Sequence, residues 1–391
     1  MTTGDRRRWL SPMRPRQADE PHRVATPLEL FFDLCFVVAV AQAALPLHHD
    51  LSADHIGHGV VSYLMVFFAI WWAWMNFTWF ASAYDTDDDV YRITTLVQIA
   101  GALVLAAGVQ SAFEDGNHVG ITVGYVVMRL AMVAQWLRAA RNDLRRRQTA
   151  LRYAVGITIV QVLWIARLLL PESWATPVFV ILVIGELLVP VIAERAPGGP
   201  TTYHPHHVAE RYGLFTIIVL GEAIASATVA VRTGLDEGDH RPELLSLSAA
   251  GLVIVFSLWW LYFDRSAQGL LTTLRTSILW GYGHYFILAS AAAVGAGLGV
   301  VVDYDTGHAE ISGTVAGYTV ALPVAVYLFF VWLLHIRPHQ VGPLVTAYPV
   351  VAVLVLVTPF GPAPVHVTAA LLAVLVAVTV SLGRRVPDRV G

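Results

Sequence analysis

Long apolar stretches recur along the chain at the spacing expected of membrane-spanning helices. A helix needs about 20 apolar residues to cross the hydrocarbon core of a bilayer. Twelve windows of this kind lie near residues 28–46, 56–81, 93–112, 118–140, 151–170, 174–193, 207–231, 244–263, 277–302, 311–335, 341–359 and 363–382. Only a short proline- and glycine-containing segment separates the last two windows, so these could form a hairpin or a re-entrant pair. The pattern predicts an all-α polytopic membrane helix bundle of about 12 transmembrane helices.

The composition and the N-terminal segment agree with this prediction. Hydrophobic residues make up 56% of the chain and charged residues only 14%, whereas soluble domains are about one-quarter charged. Cys35 is the only cysteine, so an intrachain disulfide is impossible. Residues 1–27 are polar and arginine-rich, and no apolar core or cleavage site follows the arginines. We therefore expect a cytoplasmic tail there rather than a secretory signal peptide.

The distribution of arginine predicts the orientation of the bundle. With the N-terminus inside, the segments on the inner side hold 21 arginines, while the outer loops hold only Arg232 and Arg241. The other two, Arg129 and Arg167, fall within predicted spans. Short cytoplasmic loops of membrane proteins carry an excess of positive charge. The bias therefore predicts a multi-pass protein of the bacterial plasma membrane with both termini in the cytoplasm.

The two halves of the chain resemble each other. Trp71-Trp72 in the second window matches Trp259-Trp260 in the eighth, and Gly124-Tyr125 in the fourth matches Gly317-Tyr318 in the tenth. These and other matches keep the same order at offsets of 184 to 196 residues. Chance identity among apolar residues is the alternative explanation. A real repeat predicts two parallel six-helix repeats at 28–193 and 207–383, a cytoplasmic linker at 194–206 and cytoplasmic tails at 1–27 and 384–391.

Charged residues inside the windows are the first candidates for a functional site, because ionisable side chains are costly in a membrane. Glu29 and Asp33 are four residues apart and share one face of the first helix. Arg211 and Glu222 share a stripe of the seventh. Because the repeat pairs these two helices, their charged groups could meet near the cytoplasmic end. Capping of a helix end is the alternative for Glu29, but Glu222 lies too deep to be a cap, so we expect it to find a partner on another span.

Two uncharged polar residues complete the candidate set. Asn76 lies within a tryptophan-rich run, which is typical of a membrane interface, although its amide is harder to explain there. His284 lies early in the ninth window, where it serves either packing or a polar site. We expect Glu29, Asp33, Asn76, Arg211, Glu222 and His284 to line a pathway for a substrate or an ion.

No metal site or cofactor is expected. The neighbouring His206 and His207 cannot point the same way from a helix. The acidic run at 85–89 lacks the glycine and the distal glutamate of a calcium loop, so it is interpreted as a cap of the third helix. The chain also contains no Walker motif, nucleophile elbow or zinc-protease motif.

Three segments carry a resemblance to a known family. They are the runs from Glu29 to Phe36, from Trp71 to Asp88 and from His207 to Glu222. They resemble the bacterial low-temperature-requirement protein A (LtrA) family, and the resemblance extends through Gly295-Ala296-Gly297. It implies a multi-pass membrane protein and little about chemistry, because the molecular activity of that family is poorly defined.

A second, weaker resemblance is to the endolysosomal potassium-channel family, whose pore is formed by two six-helix repeats. The first-helix signature of that family is F-S-D-x-x-F-x-x-A. Here Phe32 replaces the serine, and Thr216 and Ile217 occupy the corresponding positions of the second repeat. These departures argue against a symmetric potassium filter.

The leading functional hypothesis is a transporter or channel for a cation or small solute with a polar cavity facing the cytoplasm. Carboxylates would bind a cation or relay protons, and Arg211 would tune their pKa values. One alternative is a membrane-embedded enzyme acting on a lipid or hydrophobic metabolite, and another is a structural or signalling protein. Membrane lipids and an unidentified small molecule or ion are the expected partners, no nucleic acid is expected, and the oligomeric state is open.

Overall fold

The protein is a bundle of long apolar helices. The computed structural model describes residues 9–17, 20, 23–236, 241–339 and 342–383, and no strand occurs among them. Part of the predicted N-terminal tail and all of the predicted tail at 384–391 lie outside these residues. Within the described part of the chain, eleven helices are long and apolar enough to cross a membrane. The prediction of an all-α polytopic membrane bundle is therefore confirmed.

The helices follow the predicted windows closely. They are α1 (Pro27–Ser52), α2 (Ile56–Tyr84), α3 (Asp89–Ala107), α4 (Val109–Glu114), α5 (Val119–Asn142), α6 (Arg147–Arg167), α7 (Ala175–Ala193), α8 (Pro205–Asp236), α9 (Arg241–Phe263), α10 (Leu274–Asp305), α11 (Gly313–Val331), α12 (Leu344–Val357) and α13 (Pro364–Gly383). The eleventh window is the exception, because α12 and the 3₁₀ turn that follows it form only a shorter apolar helix, Leu344–Phe360.

The chain forms two compact units. Unit 1 comprises Met1–Gln42 and Met65–Tyr212, and unit 2 comprises Ala43–Leu64 and Gly213–Gly391. Helices α1, α2 and α8 each contribute residues to both units. The predicted pair of parallel six-helix repeats remains a prediction.

Glycines set the close helix packing in unit 1. Helix α3 packs against α5, α5 against α6, and α6 against α7. A Cβ atom on Gly124 of α5 would collide with the backbone of Leu105 in α3, and one on Gly101 would lie 2.9 Å from the Gly124 carbonyl oxygen. Small residues let helix backbones approach closely in a membrane, where packing must replace the hydrophobic effect.

Unit 2 contains a similar contact and an irregular turn. Helix α10 packs against α11, and a Cβ atom on Gly297 would collide with the carbonyl group of Thr319. Helix α9 packs against α13. At its end α11 passes into a π-helical segment, Trp332–Ile336, which places His335 in the interior. Single π turns in proteins frequently mark functional sites.

The acidic run after α2 divides into two roles. Asp88 is the N-cap of α3: its side chain accepts from the Tyr91 amide at 2.8 Å, from the Ser11 amide at 2.8 Å and from Arg138. Burial acts to raise the pKa of Asp88, but Arg138 and the amides outweigh it and lower that pKa. Asp85 instead points into the protein. The expectation of a helix cap thus holds at Asp88.

Candidate functional site

Four side chains with complementary charges meet in the interior of unit 1. The Arg211 Nε atom donates to Asp33 Oδ2 at 3.0 Å, and its Nη1 atom lies 3.1 Å from Glu29 Oε1. The His207 Nε2 atom lies 3.1 Å from the same Glu29 oxygen. All four residues are completely buried. The structure therefore brings together Glu29, Asp33 and Arg211 of the predicted site, and it adds His207.

The spacing of these residues along their helices explains the arrangement. Glu29 and Asp33 are one turn apart on α1, and His207 and Arg211 are one turn apart on α8, so each pair shares a helix face. Glu29 also accepts from the Thr26 amide at 2.7 Å, and Thr26 Oγ1 accepts from the Glu29 amide at 3.3 Å. Glu29 therefore takes part in capping the start of α1 and also faces Arg211 and His207.

A second ion pair extends this group. Arg23 Nη1 donates to Asp85 Oδ2 at 3.2 Å, and Arg23 Nη2 lies 4.0 Å from Glu29 Oε1. Burial raises the pKa of Asp85, with Glu29 adding to the effect and Arg23 opposing it. We call these six side chains the charged network: Arg23, Glu29, Asp33, Asp85, His207 and Arg211. Counted at their ordinary charges, three carboxylates face two guanidinium groups, so the network formally carries one excess negative charge when His207 is neutral.

The tryptophan run of α2 connects the charged network to another buried carboxylate. Trp74 Nε1 donates to Asp33 Oδ1 at 2.6 Å, and Trp72 Nε1 donates to Glu186 Oε2 at 2.8 Å. Trp71, Trp72 and Trp74 are at most 1% exposed. The interpretation of this run as an interfacial belt is therefore wrong at these three positions, because their indole groups pack inside and two of them serve as hydrogen-bond donors to carboxylates.

Glu186 is surrounded by donors from three other helices. Besides Trp72, it accepts from Tyr125 Oη at 2.7 Å, from Arg129 Nη2 at 2.6 Å and from Trp164 Nε1 at 3.3 Å. A carboxylate offers about four lone-pair positions, so these donors occupy all of them. Glu186 therefore ties α2, α5, α6 and α7 together and has no free acceptor for a ligand.

Several buried polar groups of unit 1 lack a hydrogen-bond partner. The amide nitrogens of Gln98, Gln135 and Gln161 make no hydrogen bond, although these residues are at most 4% exposed. Arg129 Nε and Nη1 are also unpaired. Each such group costs several kcal/mol in a dry apolar interior, and buried water is the usual remedy. These residues mark a polar stretch that suits hydration.

Asn76 and Glu222 both form hydrogen bonds within their own helices. Asn76 Nδ2 donates to the Trp72 carbonyl group at 2.8 Å, and Glu222 Oε1 accepts from Ser226 Oγ at 3.1 Å. Asn76 is buried, whereas Glu222 is half-buried in unit 2. The hydrogen bond of Glu222 thus comes from one turn along α8 instead of from another span.

His284 belongs to a buried polar group in unit 2 that contains no carboxylate or guanidinium group. Its Nε2 atom lies 3.0 Å from Tyr262 Oη and 3.3 Å from His335 Nε2, and its Nδ1 atom lies 2.7 Å from the Trp280 carbonyl oxygen. All four residues are buried. We call His284, His335, Tyr262 and Trp280 the imidazole cluster. Sequence reasoning selected only His284 from this cluster; the signal that could have found His335 is a histidine close to the end of an apolar helix.

Comparison with known proteins identifies the family. The family model described as bacterial low temperature requirement A protein (LtrA) matches residues 24–382. An uncharacterized protein of Rhizobium meliloti (strain 1021) is 27% identical over 297 residues, which cover 71% of this chain and 70% of that protein. The matched region contains both the charged network, apart from Arg23, and the imidazole cluster. The chain therefore belongs to the LtrA family of multi-pass membrane proteins.

Proposed function

We propose that this protein is a transporter or channel for a cation, with the charged network as its cation- or proton-binding site. The observation that carries the proposal is the charge balance of the charged network, in which completely buried Glu29 shares one oxygen between Arg211 and His207. An uncompensated buried charge is strongly destabilising. One proton, or one monovalent cation, neutralises the excess negative charge.

The two carboxylates of α1 differ in whether one of their partners can titrate near neutral pH. Asp33 accepts from Arg211 and Trp74, so both of its oxygens are held by donors that do not titrate near neutral pH. Glu29 Oε1 instead faces His207, whose ring titrates near neutral pH when unperturbed. We therefore assign binding and release to the pair formed by Glu29 and His207, and a positioning role to Asp33 and Arg211.

A route for a hydrated ion is supported by the unpaired polar groups of unit 1. Ring contacts between Trp136 and Tyr153 and between Tyr125 and Trp164 show that α5 and α6 run antiparallel. In that register, Gln161 lies at the level of the unpaired Arg129 nitrogens. Water held by these groups would continue the polar interior beyond the charged network. With the orientation predicted from arginine, the charged network would lie near the cytoplasmic face.

Ion flux into proteoliposomes tests the proposal. Purified protein is reconstituted in vesicles that contain a dye sensitive to pH, Na⁺ or K⁺, and flux is driven by a gradient of the matching cation. We expect wild-type flux above that of empty vesicles, and a fall of about tenfold or more in Glu29→Gln and His207→Gln because each removes a titrating group. Glu114→Gln, at an exposed position, is the matched control. Full flux in both network variants, or no flux of any of these cations in the wild type, would contradict the proposal.

A further inference from the structure

The imidazole cluster has the distances of a metal site. Two nitrogen ligands bound at about 2.0–2.1 Å in a tetrahedral arrangement lie about 3.3 Å apart. The Nε2 atoms of His284 and His335 are 3.3 Å apart, and Tyr262 Oη is 3.0 Å from the first of them. We propose that His284, His335 and Tyr262 bind a divalent transition-metal ion such as Zn²⁺.

The tautomer of His284 supports this assignment. Its Nδ1 atom lies 2.7 Å from the Trp280 carbonyl oxygen, which can only accept, so Nδ1 carries the proton of the ring. The neutral ring therefore presents the lone pair of Nε2 toward His335 and Tyr262. A metal-bound histidine is usually oriented in the same way, by a hydrogen bond from its other nitrogen to a backbone carbonyl or carboxylate.

The local backbone also fits a ligand site. His335 lies in the π-helical segment at the end of α11, and the three proposed ligands come one from each of α9 (Tyr262), α10 (His284) and this segment. The rings of Trp280 and Tyr262 lie against the two imidazoles, with centroids 4.0 Å from His284 and 4.8 Å from His335. A metal held here would connect three consecutive spans in surroundings that exclude water.

The ligand atoms, two imidazole nitrogens and one phenol oxygen, indicate which metal ions the site would prefer. Imidazole favours Zn²⁺, Cu²⁺, Ni²⁺ and Fe²⁺ over Mg²⁺ and Ca²⁺, which prefer oxygen ligands. Two histidines and one phenol leave a fourth position open. The Tyr262 hydroxyl either coordinates as a neutral oxygen or releases its proton to the medium when the metal binds. A proton shared between the two Nε2 atoms is the competing occupant, although 3.3 Å is long for a hydrogen bond between nitrogens.

Metal analysis of the purified full-length chain tests this proposal. The protein is prepared with a tag that contains no histidine, stripped with chelator, dialysed against Zn²⁺ and then against metal-free buffer. We expect about one Zn²⁺ per chain in the wild type, falling to about one-tenth in His284→Gln and in His335→Gln, because two ligands are needed to hold it. His366→Gln removes a histidine outside the imidazole cluster, whose Nε2 atom lies 2.8 Å from Ser246 Oγ, so it should keep the wild-type metal content.

Folding and function are separated from binding by two further measurements. Cobalt substituted into the wild type should give the absorption spectrum of a tetrahedral site, which both variants lose. Zn²⁺ should raise the Tm of the wild type and of His366→Gln, and leave the Tm of His284→Gln unchanged. Equal metal content in the wild type and both cluster variants would overturn the proposed metal site. The explanation of the short distance between His284 and His335 would then be a proton shared between their Nε2 atoms. Because these readouts involve no flux, they fail or succeed independently of the proposed transport function.

Discussion

The charged network of unit 1 and the imidazole cluster of unit 2 are both groups of buried polar side chains among apolar helices, but they differ in chemistry. At the offset of 188 residues that aligns Trp71-Trp72 with Trp259-Trp260, Trp74 aligns with Tyr262. Trp74 donates to the carboxylate of Asp33, and Tyr262 contacts the imidazole of His284. The two positions aligned by this offset thus contact a buried polar group in each unit, but that group is a carboxylate in unit 1 and an imidazole in unit 2.

The two units share some packing features and differ in others. Close glycine contacts join α3 to α5 and α10 to α11, so the framework is similar in the two units. Trp72, by contrast, is completely buried and donates to Glu186, while Trp260, which the offset of 188 residues aligns with it, is 43% exposed. Buried ions require matched partners, whereas neutral groups require only hydrogen bonds. The comparison therefore predicts that the same type of substitution costs more in unit 1 than in unit 2.

The largest effect is expected at Arg211. Arg211→Ala leaves Glu29 and Asp33 buried without their main counter-charge, and removing one partner of a buried ion pair costs about 3–5 kcal/mol. We expect a large fall in Tm and in the yield of monodisperse protein, measured by thermal unfolding in detergent and by size-exclusion chromatography.

A surface pair supplies the control for Arg211. Arg92 Nε lies 2.7 Å from Asp87 Oδ1 with both side chains about one-third or more exposed, and pairs of that kind contribute about 0–1 kcal/mol. Arg92→Ala should therefore change the Tm little. If the two variants unfolded at the same temperature, this would contradict the prediction and mean that water within the charged network screens its charges.

The glycine contacts should show an intermediate effect that is similar in both units. Gly124→Ala places a methyl group against the backbone of Leu105, and Gly297→Ala places one against Thr319. Overpacking of this kind costs about 1–3 kcal/mol. Gly221→Ala is the control, because nothing lies near its added Cβ atom. A loss in only one of the two variants would show that the frameworks differ after all.

The sequence predicted the helices and half of the charged network, for identifiable reasons. Apolar stretches of sufficient length reveal spans directly, and Glu29 and Asp33 stand out because ionised residues are rare in such stretches. Arg211 could be paired with them through the repeat. The failures concern partners on other helices, such as Glu186 with its four donors.

Those partners were missed because a lipid-facing helix surface is as apolar as a buried one. In a soluble helix, the polar face reveals which side is buried, and therefore which residues can meet. Here Trp72 and Trp260 look alike in sequence, yet one is buried and the other is exposed. How a helix is rotated about its axis depends on how its side chains pack, which residue type alone does not reveal. The contact between His284 and His335 depends on this rotation and could not be predicted.

A smaller effect is expected in the imidazole cluster. With metal removed by chelator, Tyr262→Phe deletes the hydrogen bonds of its hydroxyl with His284 and Thr216, each of which contributes about 0.5–1.5 kcal/mol. The shape of the ring is retained, so packing against His335 persists. Thermal unfolding in chelator should therefore show a modest loss, well below that of Arg211→Ala. A loss as large as that of Arg211→Ala would mean that the cluster is charged, which would remove the contrast between the two units.

The smallest effect on stability is expected at Glu222, which also tests whether unit 2 contributes to the ion pathway. Glu222 is half-buried, and its described hydrogen bond comes from Ser226 in the same helix. Glu222→Gln keeps an oxygen acceptor for Ser226, so we expect a stability change within about 0.5 kcal/mol. Thermal unfolding should not distinguish this variant from the wild type. Flux should distinguish it if Glu222 lines the pathway, because a carboxylate in a span is costly and is usually retained for function. Wild-type flux in Glu222→Gln, together with loss of flux in Glu29→Gln, would confine the ion pathway to unit 1.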